Sequence, residues 1–224
     1  METKKPNSQV DGQVDQAAAQ KKEQMITMVK YGSTAIAVIV ALVLVYIYAF
    51  RNPAIAESEE AIADADIAFY QAGEDSAKME QAFKKYEAVA QNYSQASGNL
   101  AKLMTAIGYY QKGEYQKCID FIDDYAKTGA VLDAGVQSKK ADCYVNLKKY
   151  DEALSCYDDA ISIANDNPSL IPFLLAKKAR VCHELKDYAK ELELYETIKK
   201  EYPAEVNFDI EKYISRAKAL AEKK

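Results

Sequence analysis

A chain of 224 residues with a formal net charge of −5, no tryptophan, 17 tyrosines and only 8 glycines and 5 prolines is poor material for a strand-rich module and suits an all-α protein. The acidic excess lies from Arg51 onward, which argues against nucleic acid as a partner and against adhesion of that part to anionic lipid. One histidine and 4 cysteines, none in a C-x-x-C pair, speak against a metal site, and no cofactor is expected.

In chain order, Met1 to Lys22 is rich in Gln, Ala, Asn and Lys with little to bury. Residues 1–30 are therefore expected to form a disordered tail. Tyr31 to Phe50 follows without a charge. At about 20 residues and about 30 Å as a helix, it is long enough to span a bilayer. Tyr31 at one end and Tyr46, Tyr48 and Phe50 at the other stand where aromatic rings favour the interface, and Arg51-Asn52-Pro53 is expected to close the segment. Ala54-Ile55-Ala56 has the small-x-small form of a cleavage site, which leaves a secretory signal peptide open. The length of the apolar run and the polar tail before it favour an uncleaved signal anchor. No cysteine lies near the end of the run, which disfavours a lipoprotein.

Lys21, Lys22 and Lys30 precede the span, whereas only Arg51 follows before Lys78, through a stretch made acidic by Glu57, Glu59, Glu60, Asp64 and Asp66. The amino terminus is expected in the cytoplasm and residues 51–224 on the far side, which in a bacterium is the periplasm.

Beyond the span, Tyr115, Tyr150 and Tyr188 recur at intervals of roughly 35 residues, each opening a helical segment. The middle copy pairs Ala141 and Tyr144 on one helix with Tyr150, Ala153, Tyr157 and Ala160 on the next, small residues letting the helices approach and large ones filling the gaps. The copy before it has Ala106, Tyr109, Gly113, Tyr115, Cys118 and Ile122, with Cys118 in the small-residue role. The copy after it runs from Ala179 through Leu185, Tyr188 and Tyr195 to Pro203, with Glu191 standing where Ala153 stood. Upstream, Ala82, Phe83, Tyr86 and Val89 form the second helix of a degenerate copy, its first helix within Glu59 to Gln71 and Gly73 to Ser76 as a longer turn. Asn207 to Glu222, with Phe208, Ile210, Tyr213, Ile214, Ala217 and Leu220, is one more amphipathic helix and a terminal cap.

This pattern resembles the tetratricopeptide (TPR) family. The resemblance implies an α-solenoid of about 3.5 helical-hairpin repeats plus a capping helix, preceded here by one transmembrane helix. It also implies a groove lined by the first helix of each repeat. Carried onto this chain, the groove-facing positions are Leu103, Ile107, Tyr110 and Gln111, then Ser138, Asp142, Val145 and Asn146, then Phe173, Ala176, Arg180, His183 and Glu184. Such a groove would grade from apolar to polar and suit an extended or amphipathic segment, with Asn146 or Arg180 bonding backbone or a carboxylate. The lysine-rich clamp by which some TPR proteins grip chaperone tails is not matched, since only Asn146 and Arg180 approximate it.

Catalytic constellations are weak. His183 stands alone, no phosphate-binding glycine loop or G-x-S-x-G elbow occurs, and acidic neighbours such as Asp123-Asp124 and Asp158-Asp159 point about 100° apart on a helix and mark solvated faces. No enzymatic activity is expected. Cys118, Cys143, Cys156 and Cys182 read most simply as buried thiols; an oxidising compartment leaves open a disulfide, with Cys143 to Cys156 the best-placed candidate.

The order of tail, span and small acidic repeat array is similar to the YfgM-type ancillary subunits of the bacterial protein-export translocon. That similarity implies partners among translocation-channel subunits and periplasmic chaperones. The alternative from the same layout is an envelope scaffold that positions cell-wall or division machinery. A mitochondrial import receptor would need the opposite placement of the repeats.

Overall fold

The computed structural model describes residues 8–164, 167–205 and 209–223, without side chains for residues 8–20, 26, 27 and 130. Among them the regular structure is entirely helical, without strands. The helices are α1 (Ser8–Tyr46), α2 (Asn52–Ala72), α3 (Ser76–Asn92), α4 (Ala96–Gln111), α5 (Tyr115–Asp123), α6 (Ala130–Asn146), α7 (Tyr150–Ala164), α8 (Ile171–Glu184), α9 (Tyr188–Glu201) and α10 (Ile210–Ala221). The chain divides into two compact units, Met1–Glu57 and Ser58–Lys224.

In the first unit the backbone is helical from Ser8, upstream of the apolar span and through much of the expected disordered tail. Gln, Ala and Lys are good helix formers, and elongation from an existing helix costs far less than nucleation. The expected stop at Pro53 does not occur either. Tyr46 passes into a π-helical turn, Ile47–Arg51, in which the Asn52 N–H reaches the Ile47 carbonyl, and α2 begins at once. Pro53 lacks an N–H to continue an α ladder, and the wider turn absorbs that gap without breaking the helix. The two compact units meet between Glu57 and Ser58, within α2. Among the described residues one helix, Lys21–Ala72, is long and apolar enough to cross a membrane, with a mean hydropathy of 2.4 in its most apolar window and none of that window buried.

In the second unit, from α3 to α10, each helix packs against its sequence neighbours, and the core is a series of small clusters along the stack. Ile62 and Ala65 of α2 meet Phe83, Tyr86 and Val89 of α3 and Ala101 of α4. Ala141 of α6, Cys156 and Tyr157 of α7 and Val181 of α8 form another cluster. The small residues read from the sequence, Ala82, Ala106, Cys118, Ala141, Ala153 and Ala179, are all fully buried, as close helix approach requires.

The hairpin turns obey one rule. Gly113, Lys148 and Lys186 all have positive φ, at 76°, 58° and 61°. Each N–H bonds the carbonyl three residues back, and the next N–H bonds five residues back: Glu114 to Tyr109, Lys149 to Tyr144, Asp187 to Cys182. These are Schellman caps, and they set the second helix of each pair antiparallel to the first. Gly73 has φ 51°, but there Asp75 caps α3 by accepting from Ala77 and Lys78, so α3 gains a first turn and the connection is longer.

Two departures from repeat regularity matter. The helix α5 is only 9 residues long, and the chain after it is held by side chains: Asn99 donates to the Ala126 carbonyl at 2.8 Å and accepts from its N–H at 2.7 Å, and Lys102 donates to the Asp124 carbonyl at 2.8 Å. The second departure is α10, whose fully buried Ala217 repeats the position of Ala179. The cap is therefore built as the first helix of a further repeat. Phe208, expected in it, lies outside the described residues.

The acidic neighbours on α5 and α7 are more than a solvated face. Asp123 pairs with Lys140 of α6, and Asp158 with Lys178 of α8, so the same ion pair recurs across two successive repeat interfaces.

Candidate functional site: a groove along the first helices

The first helices of successive pairs, α4, α6 and α8, together with α10, line a two-lobed groove. The first lobe, of about 490 Å³, is bounded by Tyr110 of α4, Asp142, Val145 and Asn146 of α6, Tyr150 and Tyr157 of α7, and Lys177, Arg180, Val181 and Glu184 of α8. The second, of about 680 Å³, is bounded by Phe173, Ala176, Lys177, Arg180, His183 and Glu184 of α8, Tyr195 of α9, and Tyr213 and Arg216 of α10. Lys177, Arg180 and Glu184 border both, which makes the lobes continuous.

Asp142 organises the first lobe. It accepts from Tyr157 at 2.6 Å and from Lys177 at 3.0 and 2.8 Å, and Lys139 stands 3.7 Å away. Burial and the Asp142 carboxylate both push the Tyr157 phenol well above its ordinary pKa, so it acts as a donor throughout the physiological range. Tyr110 is held edge-on by Tyr115, with ring centroids 5.5 Å apart, and Lys139 Nζ sits 4.1 Å above its ring.

In the second lobe the residue that broke the repeat pattern carries the geometry. Glu191, at the position of Ala153, is fully buried. Its Oε1 accepts from Arg216 of α10 at 2.5 Å, and its Oε2 lies 2.8 Å from His183 Nδ1. The histidine that stands alone in the sequence is thus one jaw of a carboxylate clamp joining α8, α9 and α10. Tyr195 beneath it is buried, which raises its pKa to about 12, and its ring packs at a tilt against Tyr213, with centroids 5.2 Å apart.

Nine of the positions read from the sequence meet along this groove: Tyr110, Asp142, Val145, Asn146, Phe173, Ala176, Arg180, His183 and Glu184. Four do not border either lobe. Leu103 belongs to the core with Ala106 and Cys118, and Ile107 is packed against that cluster and the preceding one. Ser138 is buried and accepts from Lys177 at 3.1 Å, while Gln111 is exposed at the end of α4. The apolar end of the expected gradient is consequently consumed by packing. The expectation omitted Lys177, which follows Phe173 by four residues and precedes Arg180 by three and so shares their face. It also omitted Tyr213 and Arg216 of α10, which border the second lobe.

All four cysteines are buried and free. Cys118 and Cys143 pack in one core cluster, between α5 and α6, whereas Cys156 belongs to another. Among the described residues no group of His, Cys, Asp or Glu is placed to hold a metal ion.

No family model matches the chain, and no curated protein matches it. Solved structures do. The TPR-like repeats of a Podosopora anserina protein described as a kinesin light chain align over 74% of this chain and 87% of that one, with a TM-score of 0.56 at 14% identity. BtubC (BKLC) from P. vanneervenii aligns over 76% and 84%, with a TM-score of 0.57 at 13% identity. The fold is that of TPR-like repeat proteins. At these identities the likeness is one of fold alone.

Proposed function

We propose that this protein is a protein–protein interaction module, a TPR-type adaptor tethered to a bacterial inner membrane, with its amino terminus in the cytoplasm and its repeats in the periplasm. The observation that carries the reading is the continuous groove along α4, α6, α8 and α10, which combines apolar lining with polar groups from adjacent first helices. TPR-like folds generally bind other proteins or peptides, which agrees with it. The apolar stretch of Lys21–Ala72 supports the tether, and the excess of lysine before the span supports the orientation. Tethering raises the local concentration of the groove beside the membrane, so modest affinity suffices to hold a partner. The partners that fit this placement are subunits of the protein-export channel, periplasmic chaperones or emerging exported chains.

Photo-crosslinking in intact membranes tests this. A crosslinker at Asn146 or Phe173 is expected to capture channel subunits or periplasmic chaperones, while one at Tyr70, which is 83% exposed on α2 outside the groove, is not. A reproducible but different partner set, such as division or cell-wall proteins, would overturn the export assignment. Equal capture from Tyr70 would overturn the groove.

A further inference from the structure

We infer that the outward face of α2, formed by Glu60, Ala63, Ile67 and Tyr70, is a docking surface for a basic amphipathic helix of another protein. A regularity of the stack points to it. On α4, α6 and α8 the residue two places after the fully buried alanine meets the second helix of the pair before. A Cβ on Gly108 would lie 2.6 Å from the Phe83 ring of α3, Cys143 clusters with Cys118 and Ile119 of α5, and Val181 clusters with Cys156 and Tyr157 of α7. On α2 the fully buried alanine is Ala65, and the residue two places on, Ile67, is 54% exposed. The first pair of the stack thus presents the surface that its successors cover with a helix.

Helical spacing puts Glu60, Ala63, Ile67 and Tyr70 on one side of α2, away from the buried Ser58, Ile62, Ala65 and Ala72, and all four are exposed. Ala63 lets a second helix approach closely. Tyr70, held edge-on by Phe69 with ring centroids 6.2 Å apart, supplies an aromatic anchor beside Ile67.

Charge selects the occupant. The helix α2 carries Glu57, Glu59, Glu60, Asp64 and Asp66 and no Lys or Arg. Lys85 answers Asp64 at 2.7 Å and Tyr86 donates to Asp66, but the carboxylates of Glu59, Glu60 and, in the turn beyond, Glu74 have no hydrogen bond or ion pair with any other described residue. Such a rim repels an anionic lipid surface and the α2 of a second copy, and it attracts Lys or Arg flanking the apolar stripe of a partner helix. The stripe needs aliphatic residues three and four apart to cover Ala63, Ile67 and Tyr70. The face borders neither lobe of the groove, so this partner is a different one from those held there.

Two synthetic peptides test this on the full-length chain in nanodiscs of neutral lipid, with empty nanodiscs as the blank. One is a helix with a Leu and Ala face flanked by lysine; the other is its twin with glutamate for every lysine. The lysine peptide is expected to bind and the glutamate twin not to, with affinity falling as salt rises. Ile67→Ser and Tyr70→Ala should each weaken binding about tenfold, as should Glu59→Gln combined with Glu60→Gln, all with unchanged helicity because these side chains stand outside the core. Glu196→Gln, which removes an exposed carboxylate from α9, should leave the affinity unchanged. Binding of both peptides or of neither, an equal loss in Glu196→Gln, or indifference to Ile67→Ser and Tyr70→Ala overturns the inference. Concentration-dependent self-association of the chain that Ile67→Ser abolishes would give the face to a second copy and overturn it as well.

Discussion

Gly108 and Gly135 both lie inside helices, where glycine costs about 1 kcal/mol relative to alanine, yet they should respond to the same substitution with opposite signs. A Cβ on Gly135 of α6 meets nothing within 4 Å, so Gly135→Ala should stabilise by about 0.5–1 kcal/mol. A Cβ on Gly108 of α4 would lie 2.6 Å from the Phe83 ring, which is itself buried in the cluster between α2, α3 and α4, so Gly108→Ala should destabilise by about 1–3 kcal/mol. Urea midpoints of the two variants decide it, and a stabilised Gly108→Ala would mean that the α3–α4 contact is slack. Asp133 makes a second residue-scale case. Burial raises its pKa, but the N–H groups of Thr128 and Gly129 and the Tyr125 hydroxyl donate to it and leave it below the ordinary carboxylate value. A depressed pKa means that its stabilisation is full above the unfolded value and is lost as pH falls through the folded one. Asp133→Asn should therefore flatten the acid limb of the stability curve below about pH 4, and an unchanged limb would show that the loop is held by something else. What the sequence revealed at this scale is the set of small and aromatic residues, because their spacing is periodic. It hid the partner of His183, since Glu191 reads as a lapse in the pattern until the geometry shows both on one clamp. Leu103 and Ser138 are buried and border neither lobe, a distinction the sequence hides because helical periodicity does not separate the last core position from the first lining one.

The terminal helix α10 is tied to the stack in part by one ion pair. It covers the end of the stack through Tyr213 and Ala217 and through Arg216, whose carboxylate partner is wholly enclosed. Removing one member of a buried charge pair costs more than removing both, because the remaining charge stays buried with less compensation, here the His183 ring alone. Arg216→Ala should destabilise the protein by about 2–4 kcal/mol. Adding Glu191→Ala, which restores the small residue found at Ala153, should recover part of that loss even though it deletes a second hydrogen-bonded group. Thermal denaturation of the two single variants and the double variant closes the cycle. A double variant weaker than Arg216→Ala would show that Glu191 stabilises by something other than the clamp. The turns carry a parallel lesson about legibility. Gly113 announces its own positive φ, whereas Lys148 and Lys186 adopt the same conformation without a compositional signal, and only their place in the repeat identifies them.

At the scale of the whole molecule, the two units present different kinds of surface. The stack from Ser58 to Lys224 buries its apolar residues between neighbours, while the window within Lys21–Ala72 buries none. Exposed aliphatic side chains such as Ile36, Val38, Ile39, Leu42 and Val45 have no counterpart to pack against in the described chain, and their transfer from water is favourable only into lipid or another protein. A signal sequence near the amino terminus would satisfy the same length and composition, so the anchor and the cleaved leader make different predictions about the mature protein. An epitope placed at Met1 should remain on the mature chain, and the protein should stay with the membrane pellet after alkaline extraction. On the proposed orientation, in which Lys21, Lys22 and Lys30 keep the amino terminus in the cytoplasm, protease added to spheroplasts should digest the repeats and spare the epitope. Loss of the epitope with release of a soluble repeat domain would replace the anchor by a leader. Digestion of the epitope with protection of the repeats would reverse the orientation, and the groove would then face cytoplasmic partners instead.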